Sequence, residues 1–240
     1  MSDPALLTLD RVGSTMDVLH ELAEAGASAG AAVVAREQTG GRGSRGRSWV
    51  SRRGGLWLSL LYRPGAPAGL ELLSLRIGLA VAEALEQLGA PPVGLKWPND
   101  LMLGDRKLGG VLCEARWQGN APGWVVAGLG LNVANETPTS LRAVATRLGS
   151  VLPGVTSEDL VAPLLATLRR IDPDAGPLTT DERDRFRLRD WLHGRPLRAP
   201  AAGVAAGLSA DGALLVRLAA GATTAVRAGT IELADSLSPP

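Results

Sequence analysis

Lysine and arginine together number 25 in this sequence, and only two of them are lysines, Lys96 and Lys107. A compact ammonium sits as a point charge between two anionic groups, such as a carboxylate and a phosphate, where a wide planar guanidinium does not fit. Both lysines fall in KWPNDLMLGDRKLGGVLCE, residues 96–114. Upstream lies QTGGRGSRGRSWVSRR at residues 38–53, in which residues 41–53 carry glycines at 41, 43 and 46 and arginines at 42, 45, 47, 52 and 53, with no acid among them. Arginine forks suit phosphate, and glycine lets backbone close on it. The pair of stretches therefore points to a site that handles anions, with the arginine loop as a lid. The bland alternative is a plain hairpin beside a solvated basic loop. An RGG-like nucleic-acid segment is a further reading, but the run is short and holds a single aromatic, Trp49.

The elements that must position these residues follow from local pattern. Gly13-Ser14-Thr15-Met16-Asp17 precedes Val18, Leu19, Leu22 and Ala23 at helical spacing, which predicts a helix capped by Ser14 or Thr15 and ended by Gly26. A strand is predicted over 31–36 and another over 56–62. A long helix is predicted over 69–88, ended by Gly89 and Pro91. Leu101-Met102-Leu103 and residues 108–112 flank Gly104-Asp105-Arg106 as strand, turn and strand. Gly109-Gly110 marks a bulge or a ligand against bare backbone. Residues 118–123 read as a loop, and WVVAGLGLNVA at 124–134 as a strand that sets Gly128, Gly130 and Asn132 on one face. That face is either a flat floor for a ring-shaped ligand or a seat for a helix. Helices are predicted over 157–171 and 179–192. Short apolar runs between glycines over 195–233 suit a small barrel of about five strands. We place a domain boundary near residue 191, giving units 1–191 and 192–240.

Composition narrows the class. The chain is 45% hydrophobic and 20% charged with a formal net charge of +1, so bulk electrostatics do not drive binding to nucleic acid or membrane. Cys113 is the single cysteine, which rules out a disulfide within the chain and suits a reducing cytoplasm. No apolar run reaches bilayer length and the N-terminus lacks a signal pattern, so a cytoplasmic location is expected.

Taken together, GRGSRGRSW at 41–49, KWPNDL at 96–101, DRKLGGVLCE at 105–114 and GLGLNVA at 128–134 resemble the biotin protein ligases, in that family's order and spacing. The resemblance implies an α+β catalytic unit with a mixed, largely antiparallel sheet, related to class II aminoacyl-tRNA synthetases, followed by an SH3-like barrel. It implies a monofunctional enzyme that uses ATP and Mg²⁺ to activate biotin as biotinyl-5'-AMP, with no tightly bound cofactor. Transfer would go to a lysine of the biotin carboxyl carrier domain of an acyl-CoA or pyruvate carboxylase.

Carried onto this sequence, the resemblance implies biotin contacts at Ser14, Thr15, Met16, Gln38, Gly41, Arg42, Gly43, Ser44, Lys107, Gly109, Gly110, Gly128 and Gly130. Arg42, Arg45, Arg47, Trp49, Lys96, Asn99 and Asn132 fall on the nucleotide side. Lys107, Arg42, Lys96 and Asp100 are the expected reacting-centre residues, with Asp100 as the magnesium candidate. Two positions depart from the family pattern. Ser44 stands where arginine is common, and Met16 where asparagine often is.

The chemistry agrees with the residue types. Joining a carboxylate to an amine requires a leaving group, and adenylation supplies one while bringing two anions together. Lys107 and the arginines offset that repulsion without any serine or cysteine nucleophile. The rival readings are a lipoyl or octanoyl ligase or transferase, whose arginine-serine-triglycine signature is absent, a biotin-sensing repressor, and a non-catalytic interaction module. The repressor needs a winged helix ahead of the first motif, which starts by residue 13, so DNA binding is not expected. Either a monomer or a homodimer fits.

Overall fold

The computed structural model describes residues 5–234. Its larger sheet is built from β1 (Leu6–Val12), β2 (Ala32–Gln38), β3 (Leu56–Tyr62), β4 (Gly94–Lys96), β5 (Asp100–Leu103), β6 (Arg106–Gln118) and β7 (Ala121–Leu131). The strand order is β1-β2-β3-β7-β6-β5-β4. β1 and β2 run parallel and the remaining neighbours antiparallel. A parallel pair needs a crossover, and α1 (Thr15–Glu24) supplies it. Ser14 caps α1, its Oγ accepting from Met16 N at 3.3 Å, and Gly26 takes φ 94° just past its end.

Alternation along β2 shows why the sheet carries helices on both faces. Val33 packs with Met16, Leu19 and Ala23 of α1. Its neighbours Ala32 and Val34 face the opposite way, into a core with α2 (Leu73–Gln87) and α3 (Ser157–Leu168). Leu58, Leu60, Leu73, Ile77, Leu85 and Leu164 are buried in that core, each contributing about 1.5–3 kcal/mol of burial. β3 is buried along its whole length and sits centrally, between β2 and β7.

After α4 (Thr180–Arg187) a second, antiparallel sheet follows. It comprises β8 (Pro196–Ala199), β9 (Gly203–Leu208), β10 (Leu214–Arg217), β11 (Thr223–Val226) and β12 (Glu232–Leu233), in the order β11-β10-β9-β8-β12. Leu197, Ala205, Leu214 and Val216 share the core that α2 occupies, and Trp97 Nε1 donates to Gly212 O at 3.0 Å. The expected α+β class with a small C-terminal β unit is what forms.

Several predicted boundaries move, among them the ends of the helix expected to reach 171, which stops at Leu168, and of the strand expected to reach 134, which stops at Leu131. The helix expected from residue 69 begins at Leu73, because Gly69 at φ 87° starts a separate turn over Leu70–Leu72. The loop expected over 118–123 shrinks to a tight turn at Gly119, since β6 and β7 pair as far as Gln118 and Ala121. The helix expected to reach 192 stops at Arg187, where the chain leaves to bond the edge of β4: Leu95 N donates to Arg189 O at 2.7 Å and Trp191 N to Leu95 O at 3.0 Å.

Candidate active site

A cavity of about 550 Å³ lies over the start of α1, the middle of β6 and β7 and the arginine-rich loop. One end is polar but uncharged. Thr15 N and Oγ1 both donate to Gln38 Oε1, at 2.8 and 3.0 Å, and Gln38 Nε2 donates to Ser51 Oγ at 2.8 Å. Ser59, fully buried on β3, meets Thr15 Oγ1 at 2.8 Å. Ser59 is a lone serine in an apolar strand and carries no local signal in the sequence.

Gly110, Gly128 and Gly130 line the cavity wall. A methyl at Gly128 would lie 2.7 Å from Met16 Sδ, and one at Gly130 would lie 2.9 Å from Trp49 Nε1. Both glycines therefore leave room that Met16 and Trp49 reach into. Gly109 does not line the cavity, contrary to expectation. Successive strand residues face opposite sides, and a methyl at Gly109 would meet Gly130 O and Leu131 Cδ2, each at 2.5 Å. Gly41 is also a packing glycine: its added methyl would lie 2.4 Å from Ser51 Oγ and 2.5 Å from Trp49 O.

Lys107 stands on the cavity wall. Its Nζ lies 2.5 Å from Asp100 Oδ1 and 5.1 Å from the Trp49 ring centroid. Its backbone is fixed from the 144–146 segment, with Lys107 N donating to Val144 O at 2.8 Å and Thr146 N donating to Lys107 O at 2.9 Å. Trp49 Nε1 is buried without a partner among the described residues, so an indole donor is available at the same place.

The other end is cationic. Lys96 Nζ sits 5.2 Å from the Trp191 ring centroid, a contact that joins residues far apart in sequence and leaves no local signal. Burial pushes the Lys96 ammonium below the usual lysine value, Asp100 opposing and Lys107 adding to the effect. Arg47 folds back on its own turn, donating to Ser44 O at 3.3 Å and Ser44 Oγ at 3.1 Å. Asn99 Nδ2 donates to Val111 O at 2.6 Å, and Asn132 Oδ1 accepts from Asn135 Nδ2 at 3.0 Å. All four reach the cavity.

Residues 42–48 form a small hairpin, in which Gly43 N donates to Arg47 O at 2.7 Å and Arg42 bridges Ser48. Arg42, Gly43 and Ser44 line the cavity. Arg45 does not. It takes φ 61° and reaches Thr230 Oγ1, beside an adjoining cavity of about 330 Å³. Arg42 is bound by two acids that are not among the expected site residues, Asp17 and Glu114, which hold the guanidinium strongly in its charged form. Asp17 stands on α1 and Glu114 on β6, both distant from Arg42 in sequence, so their pairing with it leaves no local signal.

Asp100 is a single carboxylate with one oxygen on Lys107, and the described residues include no group of three His, Cys, Asp or Glu around a possible cation. The described residues thus offer no magnesium cage of their own. Magnesium bound through one carboxylate takes its remaining ligands from phosphates and water. Burial pushes the Cys113 thiol up to about 12, so it supplies no thiolate at neutral pH. No helix of the described residues is long and apolar enough to cross a membrane.

The sequence profile described as the Biotin/lipoate A/B protein ligase family matches residues 8–132. The chain is 36% identical over 148 residues to the bifunctional ligase/repressor BirA of Bacillus subtilis, covering 60% of this chain and 46% of that protein. It is 37% identical over 151 residues to the biotin–acetyl-CoA-carboxylase ligase of Paracoccus denitrificans, covering 62% and 59% respectively. The chain spans about half the length of these curated relatives. The solved biotin protein ligase from Aquifex aeolicus in complex with biotin and ATP is similar with a TM-score of 0.79 and 29% identity, over 95% of this chain and 98% of that one.

Proposed function

The chain belongs to the biotin/lipoate A/B protein ligase family, and on that premise we propose that it activates biotin with ATP and passes it to a lysine of a biotin carboxyl carrier domain. The observation that carries this reading is the placement of Lys107 in one cavity with an uncharged polar end at Ser14, Thr15 and Gln38 and a cationic end at Lys96 and Arg47. A ring with polar edges and a carboxylate tail suits the first end, and a nucleotide triphosphate suits the second.

In the first step a biotin carboxylate oxygen attacks the α-phosphorus of ATP, and the bond to pyrophosphate breaks. Two anions must approach, and Lys107 offsets their repulsion as the shared cation. Lys96 and Arg47 hold the departing phosphates, and magnesium enters with the nucleotide as part of the substrate. Trp49 gives an indole face and a free N–H on the nucleotide side, with Asn99 and Asn132 beside it. In the second step a neutral acceptor amine attacks the acyl carbon and AMP leaves. A lysine amine has a free pKa of about 10.4, so its proton must be shed on entry. Asp100, the carboxylate that accepts from Lys107, is assigned to take that proton from the entering amine. Residues 1–191 are assigned to this chemistry and 192–240 to support of the loop and of the acceptor.

Biotin is favoured over lipoate or octanoate by the polar end of the cavity. An apolar tail would leave the Ser14 hydroxyl donor without a ligand partner, and such mismatches discriminate strongly. The test is mass spectrometry of a carrier domain incubated with the chain, ATP and either biotin, lipoate or octanoate. Addition of biotin alone, dependent on ATP, is the expected result. Addition of lipoate or octanoate in its place would refute the assignment.

A further inference from the structure

An arginine side chain carries five N–H donors, and Arg42 spends four hydrogen bonds on protein carboxylates. Nη1 and Nη2 donate to Asp17 Oδ2 and Oδ1 at 2.9 and 2.7 Å. Nε and Nη2 donate to Glu114 Oε1 and Oε2, both at 3.4 Å. At most one donor is left for a substrate.

Glu114 is itself held from behind. Trp124 Nε1 lies 2.9 Å from His20 Nδ1, and an indole nitrogen only donates, so Nδ1 carries no proton. The His20 proton is therefore on Nε2, 3.3 Å from Glu114 Oε2. His20 is neutral in this arrangement. Asp17 and Glu114 share one guanidinium, that of Arg42, with the charge of Arg116 felt at Asp17 and His20. Such a cluster has no positive charge to spare for an incoming anion.

The same contacts fix the loop. Arg42 bridges Ser48, and Trp49 N donates to Gly41 O at 2.8 Å. Seating Arg42 on α1 and β6 thus seats Arg47 and Trp49, which face the cavity.

We propose that Arg42 is a positioning residue that pins the 42–49 hairpin, with Asp17 and Glu114 as its anchor and His20 and Trp124 setting Glu114. Direct contact with the anionic substrate falls to Lys107, Lys96 and Arg47. This replaces the expectation that Arg42 touches the carboxylate and phosphate. The kinetic part rests on the ligase reading; the structural part does not.

A mutant cycle separates the two roles. The variants are Arg42→Ala, the isosteric pair Asp17→Asn with Glu114→Gln, and all three together, each checked by thermal unfolding. Hydrogen exchange over residues 42–49 of the substrate-free chain is expected to lose about tenfold protection in every variant, as for two partly exposed ion pairs. The triple variant should lose no more than either parent. The escape rate of biotinyl-adenylate should rise by a similar factor and show the same lack of additivity. The proposal is overturned if Arg42→Ala costs as much in the acid-neutralised background as in the wild type. It is also overturned if neutralising the acids leaves exchange unchanged, or tightens adenylate binding by freeing Arg42. A wild-type chain that makes no adenylate would refute the ligase reading, while the exchange arm would still decide the role of Arg42. Single Asp17→Asn and Glu114→Gln variants, expected at about half the effect on a logarithmic scale, serve if a combined variant unfolds.

Discussion

Lys107 Nζ and Asp100 Oδ1 are 2.5 Å apart, one on β6 and the other on the paired strand β5. The ammonium is therefore steered by a carboxylate before any substrate arrives. In Asp100→Asn the amide oxygen still accepts from Lys107, but a neutral acceptor replaces a charged one. The difference is about 1–1.5 kcal/mol, or roughly tenfold. Biotin-dependent pyrophosphate release should fall by about that factor, with a smaller loss than removal of Lys107 causes.

Gly109 and Gly128 separate packing from binding. At Gly109 a methyl meets backbone, Gly130 O at 2.5 Å, and sheet backbone cannot yield cheaply. Gly109→Ala should lower stability by about 1–3 kcal/mol, read by urea unfolding. At Gly128 the methyl meets Met16 Sδ at 2.7 Å, the far end of a flexible side chain that can turn away. Gly128→Ala should keep its stability but raise the KM for biotin, because Met16 is displaced into the cavity.

These two glycines also mark how much the sequence disclosed. Alternation along 124–134 set Gly128, Gly130 and Asn132 on one face, and all three line the cavity. The Gly109-Gly110 pair looks like one unit in the sequence, but neighbours in a strand face opposite sides, and of the two only Gly110 lines the cavity. Arg42 was legible as a loop cation, but its partners Asp17 and Glu114 come from a helix and a strand distant in sequence. The Lys96–Trp191 contact was equally hidden, since it forms only when the chain returns to the edge of β4.

His20 gives the fold a pH dependence. Burial is the largest cause holding its pKa below the ordinary value of about 6.5, with Arg116 acting in the same direction and Glu114 and Asp17 against it. The unfolded chain therefore takes up this proton more readily than the folded one. The His20 contribution to stability is complete above about pH 6.5 and is lost as pH falls through the lower folded value. Urea unfolding at pH 7.5 and 5.5 should show the wild type less stable at the lower pH. His20→Gln should remove that part of the slope.

Ser44 accepts from Arg47 Nη2 at 3.1 Å, so a neutral hydroxyl stands where a guanidinium would add a second fork beside Arg47. Charged and neutral partners differ by about 1 kcal/mol. Ser44→Arg should slow adenylate escape somewhat under tenfold and reduce biotin labelling of an unrelated bystander protein. Equal labelling by the two chains would mean that Arg47 already holds the phosphate.

The role of Lys107 as the cation shared by the two reacting anions is the centre of this account, and biotin-dependent pyrophosphate release measures it without any acceptor protein. The wild-type chain should release pyrophosphate when biotin and ATP are both present. Lys107→Ala should lose roughly a hundredfold or more in that rate, the scale for removing a group that stabilises developing charge. Lys107→Arg should also be poor, since a planar fork does not replace a point charge. Near-normal release by Lys107→Ala would contradict the mechanism.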